Sequence, residues 1–166
     1  EYANDSPSVI CDPEDPEHPY KLVIFEKGNR EEKWGPGWGI HGYGSLDGLN
    51  WRKLEPVPLV VAGDRTNAVA QKVDGKYVMY TRHKLMFHQT GGRAVYRSES
   101  SDFADWSEPE LVLSPDLEDA PDVEYYGMSV FRRNGWYIGL LEYWPETVDT
   151  IETYLVFSRD GKTWRH

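Results

Sequence analysis

The chain is poor in the residues that mark many other kinds of protein. Its 166 residues include a single cysteine, Cys11. No disulfide can form within it, and the redox compartment stays open. Cys11 lies in or beside a strand-like segment and is expected to be a small buried hydrophobe. Basic charge is scarce: 18 Lys and Arg stand against 28 Asp and Glu, a net charge of −10 with no basic run. That argues against a nucleic-acid partner and against an anionic membrane surface. No stretch is apolar enough to span a bilayer and no signal peptide opens the sequence; cytoplasmic and secreted locations both remain open. There is no Gly-rich phosphate loop, no Cys–His pair and no nucleophile elbow, and no cofactor is expected. His83 and His88 are five apart, a spacing that fits neither a helix face nor strand alternation, so no metal site is expected there. The acidic loop Asp12–Glu17 lacks the Gly and the alternating ligands of a calcium loop and reads as a solvated turn.

What the chain does have is aromatic content, 14% with seven Trp, and a repeat. A small hydroxyl residue, an acid two places on and a Trp six places on recur at Ser45-Leu46-Asp47-Gly48-Leu49-Asn50-Trp51, Ser100-Ser101-Asp102-Phe103-Ala104-Asp105-Trp106 and Ser158-Arg159-Asp160-Gly161-Lys162-Thr163-Trp164. The serines are 55 and then 58 residues apart, the spacing of an array of supersecondary units. Upstream of each copy lie a short strand-like segment (Pro7–Ile10, Asn67–Ala70, Met128–Phe131), a turn signal, an apolar aromatic run (Tyr20–Phe25, Lys76–Tyr80, Trp136–Leu141) and a third run (Gly39–Tyr43, Arg93–Arg97, Thr153–Phe157). Pro58–Val61 and Glu110–Leu113 read as fourth strands of the first two units. β-branched and aromatic residues fill the runs, and Gly, Pro, Asp and Asn punctuate them.

Four-stranded antiparallel units of this length are what a β-propeller blade needs. The fold class is therefore all-β, with about three blades in one partial domain over 1–166, the units running from about 4–62, 63–115 and 120–166. In each turn the Ser and Asp side chains can hydrogen-bond backbone groups, and Gly48 and Gly161 allow a positive φ. Phe103 stands where the other two copies have Gly, so the middle turn is expected to differ. The Trp covers the blade edge. These turn acids are scaffold, not chemistry. A closed propeller has about 4–8 blades. The expectation is a piece of a longer protein; closure by further copies and an open three-blade domain are the alternatives, and open blade edges offer a route to self-association.

The stretch from Asp64-Arg65-Thr66-Asn67 through Gly75-Lys76-Tyr77-Val78 and the turn Arg97–Ser107 to Tyr126-Gly127-Met128-Ser129-Val130 resembles bacterial proteins of the glycosyl hydrolase family 32-like kind. These belong with the five-bladed β-propeller glycosidases, as do the family 43 arabinanases and xylosidases. The resemblance covers nearly the whole chain. It implies part of a five-bladed ring and three acids, one from each of successive blades, at the start of the strands that line the channel. Those positions are Asp5, Asp64 and either Glu124 or Asp122. Glycoside hydrolysis needs two carboxyl groups across the scissile bond. Arg65 and Asn67 beside Asp64 suit a charged carboxylate or sugar hydroxyls. Tyr125 and Tyr126 beside Glu124 suit a raised pKa and a general acid. The chain lacks Asn-Asp-Pro-Asn, Arg-Asp-Pro and Glu-Cys, so the resemblance does not divide roles among the acids. No trio of arginines stands out that would hold a sialic acid carboxylate.

A carbohydrate is the expected partner. Trp34 and Trp38 flank a Gly-rich loop that suits stacking on sugar rings, with packing against a blade edge as the alternative. Arg82 and His83 follow the second blade's central run as Glu142 and Tyr143 follow the third's, and these ends can face the channel. Two function classes remain: a glycosidase, and a non-catalytic carbohydrate-binding or interaction propeller that kept the scaffold.

Overall fold

The computed structural model describes residues 4–28, 37–84 and 92–165. His88, Trp34 and the Trp-Gly loop as far as Pro36 lie outside them. The described residues form twelve strands in three four-stranded antiparallel sheets, with no helix. The first sheet holds β1 (Asn4–Cys11), β2 (Tyr20–Glu26), β3 (Gly39–Ser45) and β4 (Arg52–Lys53). The second holds β5 (Asn67–Ala68), β6 (Tyr77–Lys84), β7 (Arg93–Ser100) and β8 (Glu110–Leu113). The third holds β9 (Val123–Arg133), β10 (Trp136–Pro145), β11 (Glu152–Ser158) and β12 (Trp164–Arg165). Each sheet pairs its strands in chain order, the up-and-down pattern of a blade.

The fourth strands of two blades differ from the sequence reading. The fourth strand of the first blade is Arg52–Lys53, directly after the turn; Val60, in the segment expected to form it, makes only an isolated bridge to Ile40. The third blade has a fourth strand too, the short β12.

The sheets stack face to face. One core lies between the first and second sheets, around Ile10, Val23, Phe25, Ile40, Met79 and Phe103; the other lies between the second and third, around Val78, Tyr80, Tyr125, Tyr137, Val156 and Trp164. The first strands are tied across the blades. Ser8 Oγ accepts from Ala68 N at 2.9 Å, Cys11 N donates to Ala70 O at 2.9 Å, and Val130 N donates to Asn67 Oδ1 at 2.7 Å. These bonds place β1, β5 and β9 next to one another at the inner edge.

The repeated turns are built as their residues dictate. Ser45, Ser100 and Ser158 each accept a bond of 2.9 Å from the N–H three residues on. Asp47, Asp102 and Asp160 each take two backbone N–H bonds of 2.8–2.9 Å. Those N–H groups, foremost that of the residue three places on, hold all three carboxyls below the usual range. The middle turn does not differ. Phe103 has φ 72°, beside 73° for Gly48 and Gly161. A non-Gly residue there is strained by about 1–2 kcal/mol, and burial offsets it: Phe103 is 2% exposed, edge-on to Tyr77 at 5.3 Å. Replacing Phe103 with Ala is expected to destabilise the fold by about 3–5 kcal/mol. Replacing it with Gly should cost about 1 kcal/mol less than Ala, because only the Gly variant relieves the backbone. Urea unfolding of the pair checks the order.

Two local expectations fail. Cys11 is exposed, because it ends an edge strand with its side chain turned away from the sheet stack. Asp12 is not in a solvated turn; it is 2% exposed and held by Lys72 at 3.0 Å and the Tyr77 hydroxyl.

Candidate functional site

Strand direction gathers one end of every blade. The starts of β1, β5 and β9, the ends of β2, β6 and β10 and the starts of β3, β7 and β11 share that end, as the pairs Asn4↔Glu26, Lys84↔Arg93 and Trp144↔Glu124 record. The hydroxyl-acid-Trp turns lie at the opposite end, between β3 and β4 and their equivalents. The expected separation of scaffold acids from candidate site acids thus holds in space.

Between the second and third blades this end carries three pairs of acid and arginine. Arg82 on β6 donates through Nη2 to Asp64 Oδ1, just ahead of β5. Arg93, the first residue of β7, donates through Nη1 to Glu124 Oε2 on β9. Arg65 Nε lies 3.1 Å from Glu142 Oε2 on β10, off the angle a hydrogen bond needs, and neither atom finds another partner among the described residues. All three guanidiniums converge on one ring: the Cζ atoms of Arg82, Arg93 and Arg65 lie 4.3, 5.1 and 5.3 Å from the centre of Tyr126. Trp144 closes the group, edge-on to Tyr126 at 5.3 Å and 4.8 Å from the Arg93 guanidinium. Cation–π attraction and the three carboxylates together offset the crowding of three positive charges.

Close backbone approaches make room for this. A Cβ at Gly63 would lie 2.6 Å from the Arg82 carbonyl, which accepts Gly63 N at 2.9 Å. A Cβ at Gly127 would lie 2.9 Å from Glu142 Oε2 and 3.1 Å from the Arg65 side chain. Both side chains can move, so Gly127→Ala is expected to leave the melting temperature nearly unchanged. It should still displace Glu142 from Arg65, which shows as loss of the effect of a second Glu142→Gln change on ligand binding or turnover.

The expected site residues fall into three groups. Asp64, Arg65, Arg82, Glu124 and Tyr126 are brought together. Beside Glu124 the closest polar neighbour is Arg93, not an all-aromatic pocket. The ring of Tyr126 is taken up by guanidiniums rather than open for a sugar to stack on. Asn67 and His83 are adjacent but otherwise engaged. The Asn67 Oδ1 serves the tie to Val130. His83 packs on Tyr96 at 4.8 Å, burial pushes its pKa down, and its Nε2 is buried without a hydrogen bond among the described residues. Asp5 and Trp38 stand apart in the first blade. Asp5 is exposed and accepts from the Ser6 hydroxyl at 3.0 Å. Trp38 packs edge-on to Phe25 at 5.3 Å. Asp122, the alternative to Glu124, accepts Thr147 N at 3.1 Å and fixes the β10–β11 loop. Arg93 and Trp144 were not singled out in the sequence. The convergence of Arg65, Arg82 and Arg93 was not visible there either, because it arises from two different strands and a loop.

No family model and no curated protein matches the chain. Solved structures do. An N-acetylgalactosamine deacetylase from F. plautii, in complex with blood group B trisaccharide, superposes with TM-score 0.70 at 14% identity, over 99% of this chain and 51% of that one. A sucrose-6-phosphate hydrolase from Lactobacillus gasseri gives 0.69 at 16% identity, over 98% and 33%. An α-L-arabinanase from Penicillium chrysogenum, complexed with arabinobiose, gives 0.62 at 16% identity, over 96% and 47%. This chain thus spans about half or less of the chains it matches. The fold is that of β-propeller blades, as in the five-bladed propellers of family 32 and family 43 glycosidases.

Proposed function

We propose that the chain is part of a carbohydrate-active propeller that cleaves glycosidic bonds with carboxylates at the axial end of its blades. The observation that supports this best is the convergence of Asp64, Glu124 and Glu142, each facing an arginine, on the single ring of Tyr126, where the innermost strands of two blades meet. Glycosidase chemistry requires one carboxyl that carries a proton to the leaving oxygen and one that stays charged as base or nucleophile. Asp64 suits the charged role, since the Arg82 guanidinium binds only its ionised form well. Glu124 would have to give up its Arg93 bond to carry a proton. Glu142 Oε2 accepts no hydrogen bond among the described residues and makes the better donor. Asp5, from the first blade, is a fourth acid at the same end, apart from that cluster. Arg65, Arg82 and His83 form the polar surroundings for a sugar, while the Tyr126 ring is covered by guanidiniums and Asn67 and Trp38 are engaged elsewhere.

A second reading has its own support. Every acid in the cluster faces a guanidinium, so the group is electrically balanced, as a binding surface with no proton to donate would be. The two readings separate in one experiment. Aryl furanosides and pyranosides are screened for hydrolysis, and oligosaccharides of the same sugars are titrated by NMR. Turnover that disappears in Asp64→Asn supports the glycosidase. Binding without turnover, weakened by Arg82→Ala, supports the binding module. Neither binding nor turnover on any sugar rejects both.

A further inference from the structure

Along the sequence no trio of arginines stands out, but the fold assembles one. Arg65 comes from the segment ahead of β5, Arg82 from β6 and Arg93 from the start of β7. Their Cζ atoms lie 5.3, 4.3 and 5.1 Å from the centre of the Tyr126 ring. The chain as a whole is acidic, with 18 basic side chains against 28 acidic ones. Three cations at one ring therefore reflect this place and not the composition.

The three are not equally committed. Arg82 gives one N–H to Asp64 and Arg93 one to Glu124. Arg65 Nε is 3.1 Å from Glu142 Oε2 but off the angle of a hydrogen bond. Both atoms are buried without a hydrogen bond among the described residues, as is Arg82 Nη1. Packing rather than hydrogen bonding aims Arg65. Its stem runs over Gly127, where a Cβ would come within 3.1 Å of Arg65 Cβ and 3.2 Å of its Cγ, and its head rests by the Tyr126 ring. A guanidinium holds five donors in a planar fork and keeps its charge at any ordinary pH. Arg65 is thus a cation set in place with its Nε–H left over.

Charge counting gives that donor a use. At rest three carboxylates, Asp64, Glu124 and Glu142, balance the three guanidiniums. Cleavage of a glycosidic bond needs one carboxyl to carry a proton to the leaving oxygen. In that state three cations face two anions. The deficit falls on Arg65 when Glu142 carries the proton, because Glu142 is its ion-pair partner. A charge partly withdrawn from water and left unpaired is costly. A ligand that brings its own oxyanion removes the deficit, and a carboxylate or phosphate meets the fork with two parallel N–H bonds. A neutral hydroxyl does neither.

We propose that the sugar taken at this end carries an oxyanion, a carboxylate or a phosphate, and that Arg65 is the residue that selects it. The inference rests on the sugar site proposed above and on one of its acids carrying a proton.

NMR titration of the 166-residue chain with probes that differ only at the last carbon of a hexose tests this. The probes are methyl glucopyranoside, its uronate and its terminal phosphate, and the same set in the galacto series. At least one charged probe is expected to bind about tenfold or more tighter than its neutral partner, and the tighter of the two names the anion. Arg65→Gln should remove that preference. Arg65→Lys, a charge without the fork, should restore part of it. If Arg65→Gln loses its native circular dichroism, Gly127→Ala, which presses on the Arg65 stem, takes its place and should weaken the same preference. Charged and neutral probes that bind alike overturn the proposal, and so does the absence of binding by every probe. So does a preference that survives Arg65→Gln, or one that acetate or inorganic phosphate alone reproduces. Aryl glycosides of the same sugars keep the two readings apart. Cleavage of the neutral ones and not the charged ones upholds the glycosidase and refutes the charged ligand. A charged probe that binds as expected while no aryl glycoside is cleaved does the reverse.

Discussion

Asp64→Asn is expected to lower turnover of an aryl glycoside by about 10²–10⁴-fold, and Glu142→Gln to do so only for poor leaving groups. The two changes probe different demands. Asn keeps the size of Asp64 and one acceptor for Arg82 but removes the charge that a base or nucleophile needs. Gln at 142 removes the proton a leaving oxygen needs, and an activated phenolate leaving group needs no proton. Glu124→Gln separates the candidates further. If Glu124 donates the proton, its substitution carries the leaving-group dependence and that of Glu142 does not. Stability has to be followed alongside. Arg82 is 11% exposed along its side chain and has a buried Nη1 with no hydrogen bond among the described residues. Losing its anionic partner should cost about 1–3 kcal/mol of folding free energy. A melting curve recorded with each rate keeps an unfolding effect from passing as a catalytic one. Equal activity in Asp64→Asn and the parent would refute the role given to Asp64.

Much of the scaffold was legible because it is local. A Ser accepting the N–H three residues on, and an Asp accepting two more, need only a few consecutive residues, and a threefold repetition of that pattern fixes the blade register. The middle turn shows the limit of local reading. Phe in a left-handed position looks like a departure until Tyr77 and Gly42 from other strands supply the burial that offsets its strain. The candidate site was half legible for the same reason. Asp64 and Arg65 are visible as a pair of neighbours, and Arg82 as the end of a run. That Arg82 pairs with Asp64, Arg93 with Glu124 and Arg65 with Glu142 depends on how adjacent blades stack, across separations of 18 and 31 residues for the first two. Nothing in a single sequence reports such a pairing. Cys11 and Asp12 were misread as a pair because strand-end orientation decides which of two neighbours faces the stack. The one that turns inward is the carboxylate, and it does so because cations wait for it.

Those cations set the second large expected effect. Asp12→Ala should destabilise the fold by about 3–5 kcal/mol. The Asp12 carboxylate accepts the Tyr77 hydroxyl and lies 3.0 Å from Lys72 Nζ and 3.8 Å from Lys21 Nζ. Lys21 is itself 2% exposed, donates to Asp15 at 2.5 Å and to the His18 carbonyl at 2.8 Å, and sits 5.7 and 5.8 Å from the rings of Tyr77 and Phe103. Blades one and two thus share two cations, three carboxylates (Asp12, Asp15 and the exposed Glu14, 3.4 Å from Lys72 Nζ) and a phenol across their junction. Removing Asp12 takes away the one buried carboxylate that faces both ammonium groups and leaves the Tyr77 hydroxyl without its acceptor. Lys21→Met keeps the apolar stem and leaves Lys72 to neutralise Asp12, so it should cost less, about 1–3 kcal/mol. The acid limb of stability tells which carboxylates are involved. The Lys21 bond, working against burial and helped by the N–H groups of His18 and Glu17, pulls Asp15 from 3.8 to about 2. Burial pushes Asp12 up, but Tyr77 and Lys72 outweigh it and its pKa too is lowered. Both folded-state values lie below the unfolded ones, so the unfolded chain binds more protons in acid. Their contribution is complete above about pH 4 and is lost as pH falls towards 2. In Lys21→Met the largest force lowering Asp15 is gone, and the fall in stability between those limits should flatten. An unchanged slope in that variant would mean that the acid limb is carried by other groups, the turn acids Asp47, Asp102 and Asp160 foremost, since backbone N–H groups hold all three of their carboxyls low.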